Sequence, residues 1–115
     1  MKKRTFSYVR AHRAYWSLSS KELARLLGRG ASMVTRIEKG AKMPGGRAAL
    51  GCQVIFGVAP QDMFPRHYEE VEETIMARAV RFHQQLEGKT DRKSARKREL
   101  LADMMKRATG NGRGA

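Results

Sequence analysis

The sequence LSSKELARLLGRGASMVTRIEKG, residues 18–40, decides the fold of this chain. Its apolar residues recur at helical spacing in two runs, Leu23, Ala24 and Leu27 first, then Val34 and Ile37. This spacing predicts two short amphipathic helices whose apolar faces pack on each other. Two such helices joined by a short turn are the layout of a helix-turn-helix.

The boundaries of both helices are marked in the sequence. Ser19 and Glu22 have the spacing of a capping box, which predicts the start of the first helix. Gly28 can adopt the left-handed conformation that ends that helix, and Gly40 can end the second. Pro44 follows soon after and prevents the second helix from continuing. The sequence therefore defines both ends of the first helix and the end of the second.

The outer face of the second helix is small, polar and basic. If Val34 and Ile37 face inward, the helical period puts Ser32, Met33, Thr35, Arg36 and Lys39 outside, with Ala31 at the N-terminal end. Arg36 can pair with guanine, Ser32 and Thr35 can bond either base type, and Ala31 or Met33 can meet a thymine methyl. We therefore expect DNA base contacts from Ala31, Ser32, Thr35 and Arg36. The alternative is a solvated helix in an all-helical domain.

The stretch from Tyr8 to Pro65 resembles the Cro/repressor (XRE-type) helix-turn-helix family of DNA-binding transcriptional regulators, which are usually prokaryotic or phage proteins. The matching residues are Leu18-Ser19, Glu22-Leu23-Ala24, Gly28, Val34, Arg36-Ile37-Glu38-Lys39-Gly40, Pro44 and Phe56-Gly57-Val58. The resemblance covers about half of the chain. It implies an all-α fold in which a five-helix lambda-repressor-like DNA-binding domain is followed by two C-terminal helices.

The resemblance also implies roles for individual residues. Arg13 and Glu38 stand where family members form a structural ion pair. The chain departs from the family at Ser20, where glutamine is common, at Gly30, where a serine or threonine cap is usual, and at Arg29, where a small aliphatic residue is typical. These departures favour charge contacts with the DNA backbone over side-chain capping. The expected backbone contacts are Arg10, Ser20, Arg29, Gly30, Lys39, Lys42 and Arg47.

The charge of the chain indicates a polyanionic partner. The formal net charge is +13, and the pI is about 10.8. Residues 1–40 carry +8 and residues 89–115 carry +6, whereas residues 66–88 carry −2. Lys2, Lys3 and Arg4 form a short basic arm. A generically basic protein without a nucleic-acid partner is the alternative.

Several other classes of protein are not expected. No secretory segment or apolar membrane span is visible, and the single cysteine, Cys52, fits a reducing cytoplasm. We interpret Cys52 as a core residue, with a redox-sensing thiol as the alternative. The histidines lack metal-ligand spacing, and no nucleophile motif or phosphate-binding loop occurs. We therefore expect no enzymatic activity, no metal and no cofactor.

The helices after Pro65 have a different pattern. Tyr68, Ile75, Ala79, Phe82 and Leu86 fall near a heptad seam that ends before Gly88. Ile75, Ala79, Phe82 and Leu86 are expected either to pack within the chain or to form a homodimer. A last helix is predicted from Thr90 or Asp91 to about Ala108, with Leu100, Leu101, Met104 and Met105 on one face.

Two features of the sequence leave alternatives open. Arg92, Lys93, Arg96, Lys97 and Arg98 make the start of the last helix basic, which indicates either a second nucleic-acid contact or a solvated face. Trp16 is expected to cover the core from the side, and stacking on nucleic acid is its alternative.

Together these patterns predict a DNA-binding domain in residues 1–65, a helical extension in 66–109 and a flexible tail in 110–115. The expected function is sequence-specific regulation of transcription, as a cytoplasmic, nucleoid-associated repressor that binds double-stranded DNA as a homodimer. One alternative is an antitoxin-like or adaptor protein whose C-terminal helices bind a protein partner. Another is a nonspecific architectural DNA binder.

Overall fold

A computed structural model of the protein describes residues 7–110, with side chains through residue 108. Every regular element in this part of the chain is a helix, which confirms the expected all-α class. The elements are α1 (Val9–Tyr15), α2 (Ser20–Leu27), α3 (Ala31–Glu38), α4 (Gly46–Phe56), α5 (Pro60–Met63), α6 (Pro65–Gln85) and α7 (Arg92–Gly110). The basic arm at residues 2–4 and the tail beyond residue 110 lie outside the described residues.

The chain forms two compact units, Met1–Glu69 and Glu70–Ala115. The boundary between them lies inside α6, whereas the composition of the sequence predicts a division after residue 65. Gly110 is helical and belongs to α7, so the tail expected to begin at residue 110 begins later.

The first unit has one apolar core, to which each of α1 to α5 contributes. Leu23 of α2 and Met63 of α5 are fully buried in it. The other members are Val9, Ala24, Val34, Ile37, Ala48, Cys52 and Phe64. The inward-facing residues predicted for the stretch 18–40 are thus buried, apart from Leu27, which is half-buried against the same core.

The ends of α2 and α3 follow the local signals in the sequence. The amide of Glu22 donates to Ser19 Oγ at 3.1 Å, and the amide of Ser19 donates to Glu22 Oε1 at 2.8 Å, which completes the capping box. The hydrogen bond that the Ser19 amide donates to the carboxylate lowers the pKa of Glu22. Gly28 and Gly40 have φ of 70° and 75°, where a β-carbon would be strained. The helix boundaries expected at Ser19, Gly28 and Gly40 are therefore confirmed.

Trp16 does not cover the core, so the packing role expected for it is wrong. Its side chain is 62% exposed and contacts the ring of Tyr15, which is 76% exposed, edge-on at 4.9 Å between ring centroids. Trp16 lies two helical turns after the buried Val9, and its amide still donates to the carbonyl oxygen of His12. It is the last residue of this helical run, because α1 ends at Tyr15 and Ser17 turns the chain at φ 59°.

The second unit has a smaller core formed by Ala79, Leu86 and Leu101, with Met104 packed against it. The heptad seam is therefore only partly buried, because Ile75 and Phe82 are 44% and 41% exposed. Ala79 and Leu86 lie toward one edge of the apolar face of α6, and α7 covers that edge.

The connection between α6 and α7 is closed by polar contacts. Gly88 turns the chain at φ 81°. Asp91 precedes α7 and accepts hydrogen bonds from the Ser94 amide at 3.1 Å and the Ser94 hydroxyl at 2.7 Å. The Arg98 guanidinium donates to the carbonyl oxygens of Leu86 and Lys89 at 3.0 and 2.7 Å. Asp91 thus caps α7 as the sequence predicts, and Arg98 holds the end of α6.

Candidate nucleic-acid interface

The exposed face of α3 presents a polar, basic stripe. Ser32 and Arg36 are four residues apart and Lys39 follows three residues later, so the three side chains lie along one side of the helix. All three are exposed, whereas Val34 and Ile37 on the opposite side are buried. We call Ser32, Arg36 and Lys39 the α3 stripe. The α3 stripe is available to a ligand because α3 packs on the core of the first unit through its opposite face.

The remaining residues expected to contact bases are less accessible than the α3 stripe. Thr35 is half-buried, and its hydroxyl donates to the carbonyl oxygen of Ala31 at 3.1 Å. This bond leaves the lone pairs of the Thr35 hydroxyl available as acceptors. Ala31 and Met33 are also half-buried, because both pack against the core of the first unit. A contact with a thymine methyl from either residue is therefore restricted to its exposed edge.

An ion pair between α1 and α3 fixes the end of α3. Arg13 donates to Glu38 through Nε at 2.6 Å and through Nη2 at 3.1 Å, in a bidentate arrangement. Arg13 Nη1 also donates to the carbonyl oxygen of Leu18 at 2.9 Å. The side chains are only 18% and 8% exposed, and the hydrogen bonds to Glu38 raise the pKa of Arg13. The two residues that the resemblance implies as a structural pair are thus in contact.

The N-terminus of α3 is open to solvent. Gly30 precedes the helix in an extended conformation, with φ −77° and ψ 153°, and no side chain caps the first turn. Gly30 and the neighbouring Arg29 are both exposed. The first amides of a helix have no intrahelical acceptor, and they carry the positive end of its dipole. An anion such as a phosphate can therefore approach these amides directly.

The other expected backbone-contacting residues are spread over the first unit. Arg10 is exposed on α1, Ser20 is half-buried as the first residue of α2, and Lys42 is half-buried after α3. Arg47 is exposed near the start of α4. Arg10, Arg29, Arg36, Lys39, Lys42 and Arg47 form no ion pair with another described residue. Their charges are therefore not neutralised within the described part of the chain.

The structure also contains an apolar groove that was not predicted from the sequence. The groove lies between α2 and α4 and has a volume of about 300 Å³; its walls are Leu26, Leu27, Arg47, Leu50, Gly51, Val54 and Ile55. Val54 is 85% exposed. A β-carbon at Gly51 would lie 2.6 Å from Leu27 Cδ2, so glycine allows the close approach of α2 and α4. Leu50 and Val54, four residues apart and outside the buried face of α4, were the available sequence signal.

Among the described residues, no group of three or more His, Cys, Asp or Glu side chains is arranged to hold a metal ion. No helix in that part of the chain is both long enough and apolar enough to cross a membrane. Comparison with models of known protein families, with characterised proteins and with solved structures finds no match to this chain.

Proposed function

We propose that the protein is a sequence-specific DNA-binding regulator of transcription, of the repressor type, that inserts α3 into the major groove. The observation that carries this proposal is the α3 stripe, which is exposed and basic while the opposite face of the same helix is buried. The proposal includes a lambda-repressor-like arrangement of α1 to α5 and membership of the XRE-type family, to which residues 8–65 have the resemblance described above. The protein would act in the cytoplasm, in association with the nucleoid.

Base recognition would depend mainly on Arg36. An arginine can donate two hydrogen bonds to O6 and N7 of guanine, and such a pair contributes about 1–3 kcal/mol of discrimination. Ser32 lies on the same side of α3, one turn earlier, and can donate or accept. Thr35 would act mainly as an acceptor because its proton is bonded to Ala31. Substitution of Arg36 should therefore change base recognition more than substitution of Ser32 or Thr35.

Contacts with the DNA backbone would position α3 without reading sequence. The open N-terminus of α3 at Gly30 offers amide donors, and Arg29 adds a charge beside it. Arg10, Lys39, Lys42 and Arg47 supply further cations that no described carboxylate neutralises. Each phosphate contact adds about 0.9 to the salt slope of binding. Affinity would therefore fall steeply as salt rises.

A homodimer is part of the proposal. Val71, Ile75 and Phe82 are exposed on one flank of α6 over about three turns, and the exposed Arg78 lies between Ile75 and Phe82 on the same flank. We call these three residues the α6 stripe. Its pairing with the same stripe of a second copy would remove apolar surface from water. A two-fold dimer on a palindromic site would then place two copies of α3 about 34 Å apart, one turn of DNA.

A protein-binding module is the second candidate function. The observation that favours it is exposed apolar surface in two places, the α6 stripe and the groove between α2 and α4. In that case the protein would be antitoxin-like or an adaptor, and DNA binding would be secondary. A purified protein that stays monomeric, prefers no duplex and captures one protein partner would support this candidate over the first.

Selection from a random duplex library tests the proposed function. The full-length protein is expected to enrich a palindromic sequence over successive rounds and to bind it at least about a thousandfold more tightly than random duplex. The comparison is repeated over a salt series, because nonspecific affinity depends strongly on ionic strength. A steep salt slope without any preferred sequence would instead identify an architectural DNA binder.

A further inference from the structure

The first turns of α7 carry a dense group of exposed cations. Arg92, Lys93, Arg96 and Lys97 are all exposed, and we call them the α7 cluster. Arg98 is next in sequence but does not belong to the cluster, because its guanidinium donates to the carbonyl oxygens of Leu86 and Lys89. Arg98 thus stabilises the connection between α6 and α7, whereas the four cations of the α7 cluster make no such contact.

The cluster forms two adjacent columns on α7. Arg92 and Arg96 are four residues apart, as are Lys93 and Lys97, so each pair lies on one side of the helix. Ser94 and Leu101 mark the buried face of the same helix. The columns therefore lie outside the face that contacts the core of the second unit.

No described carboxylate forms an ion pair with these cations, although the exposed Glu99 lies one turn after Arg96 on the same side of α7. Among the described residues, Arg92, Lys93 and Arg96 form no ion pair or side-chain hydrogen bond, and Lys97 interacts with Asp91 only at longer range. Like charges four residues apart on a helix repel each other. The positive end of the helix dipole lies in the same turns and adds to the local potential. A polyanion bound at this place would relieve the repulsion.

We propose that the α7 cluster is a second DNA-binding surface, which contacts the phosphate backbone of duplex DNA without reading its sequence. This inference rests on the proposed function, in which the first unit already binds a duplex. Lys and Arg at i and i+4 lie about 6 Å apart along the helix axis, a spacing suited to neighbouring phosphates. The cluster would increase affinity for any duplex and raise the salt dependence of binding.

Two other polyanionic partners fit the cluster less well. Single-stranded nucleic acid is usually bound by aromatic side chains that stack on its bases, and residues 89–108 contain no aromatic residue. A membrane surface is bound by helices with a free apolar face, whereas Leu101 and Met104 of α7 are used in the core of the second unit and only Leu100 is exposed among the large apolar side chains described for this helix. Duplex DNA requires only cations at this spacing.

The test compares two full-length double variants that lose the same charge. Arg92→Gln/Arg96→Gln removes half of the cluster, and Arg81→Gln/Arg107→Gln removes two other exposed arginines, one on α6 and one near the end of α7, as a control. Affinity for a random-sequence duplex is measured by fluorescence anisotropy over a salt series, after circular dichroism has shown unchanged helicity. The cluster variant is expected to lower the salt slope by about 1.8 and to weaken binding tenfold or more at ~0.1 M salt. The control variant is expected to match the wild type.

The outcomes separate this inference from the proposed function. If the cluster variant keeps the wild-type slope while Arg36→Ala reduces sequence preference, the inference is wrong and the function stands. If the salt slope of the cluster variant falls but the wild type prefers no sequence, the α7 cluster is a DNA-binding surface and the proposed sequence-specific regulation is wrong. Equal losses in the cluster and control variants, or binding of single-stranded RNA or anionic vesicles in place of duplex DNA, would overturn the inference.

Discussion

Arg13 and Glu38 are the residues whose pairing most directly holds α3 in place. The pair is bidentate and mostly buried, and Arg13 also bonds the Leu18 carbonyl before α2. Glu38→Ala would leave the Arg13 guanidinium without its carboxylate partner. We therefore expect the free energy of unfolding, measured in urea, to fall by ~3 kcal/mol. Glu73→Ala, at an exposed site on α6, is the control and should change stability by less than about 0.5 kcal/mol.

A double-mutant cycle sharpens this prediction. If the two charges stabilise each other, the loss in Arg13→Ala/Glu38→Ala will be smaller than the sum of the two single losses. Additive losses would mean that each residue acts through other contacts, and would contradict the bracing role of the pair.

Cys52 provides a prediction about pH. Burial raises the pKa of its thiol from 9.0 to about 11. A group whose pKa is raised on folding contributes its stability below the unfolded pKa and loses it as pH rises through the folded value. We therefore expect a stability contribution that is complete below pH 9 and lost toward pH 11. Cys52→Ala, which does not titrate, is expected to show a weaker decline over that range in urea unfolding.

The same residue is expected to be chemically inert in the folded protein. At pH 8 the thiol should react with a disulfide reagent far more slowly in the native protein than in 6 M urea, because almost no thiolate is present and the sulfur is buried. Equal rates in the two conditions would contradict the burial of Cys52 and restore the redox-sensing alternative.

The role of a side chain could be predicted where its partner is close in the sequence. Such roles were predicted less well where they depend on a turn or a rotamer that the sequence does not indicate. The capping box at Ser19 and the cap at Asp91 follow from spacing alone, because each bond spans three residues. The exposure of Trp16 does not follow from its helical spacing from Val9, and no local signal indicates the turn at Ser17, a non-glycine residue at positive φ. The bond from Thr35 to Ala31 requires a rotamer that the sequence does not specify.

At the scale of elements, the bounds of α2 and α3 were predictable because caps and glycines coincide with changes in hydrophobic spacing. The α6 seam was predicted less well. A heptad pattern identifies the apolar face of a helix, but it does not show how much of that face a packing partner covers. In the second unit Ala79 and Leu86 are covered by Leu101, while Ile75 and Phe82 are not.

The uncovered part of α6 yields a prediction about assembly. If the α6 stripe pairs with a second copy, the wild type should sediment as a dimer at ~50 µM, and Ile75→Glu/Phe82→Glu should sediment as a folded monomer because like charges would oppose the apolar contact. Val80→Glu is the matched control, since Val80 is 44% exposed, like Ile75, but lies on another side of α6.

Analytical ultracentrifugation with circular dichroism reads out both assembly and folding. A wild type that is monomeric at this concentration, or a Val80→Glu variant that dissociates as readily as the double variant, would rule out the α6 stripe as the contact.

For the molecule as a whole, sequence predicted the all-α class, the core of the stretch 18–40 and the separation of basic segments from the acidic start of α6. It did not predict the groove between α2 and α4, because that surface arises where two helices from different parts of the chain approach across Gly51. Nor did it separate Arg98 from its basic neighbours, since the carbonyl oxygens that Arg98 bonds belong to the preceding turn. The groove and the role of Arg98 both depend on contacts between residues that are not neighbours in the sequence.

Reading of DNA by α3 is tested by the affinity of matched variants for one selected duplex and for its scrambled version. Arg36→Ala is expected to lose preference for the selected duplex by ~1–3 kcal/mol, while its affinity for scrambled DNA falls only as expected for one lost charge. Arg81→Ala, which removes an exposed arginine of α6, should keep the preference. An Arg36→Ala variant that discriminates the two duplexes as well as the wild type would contradict the claim that α3 reads DNA.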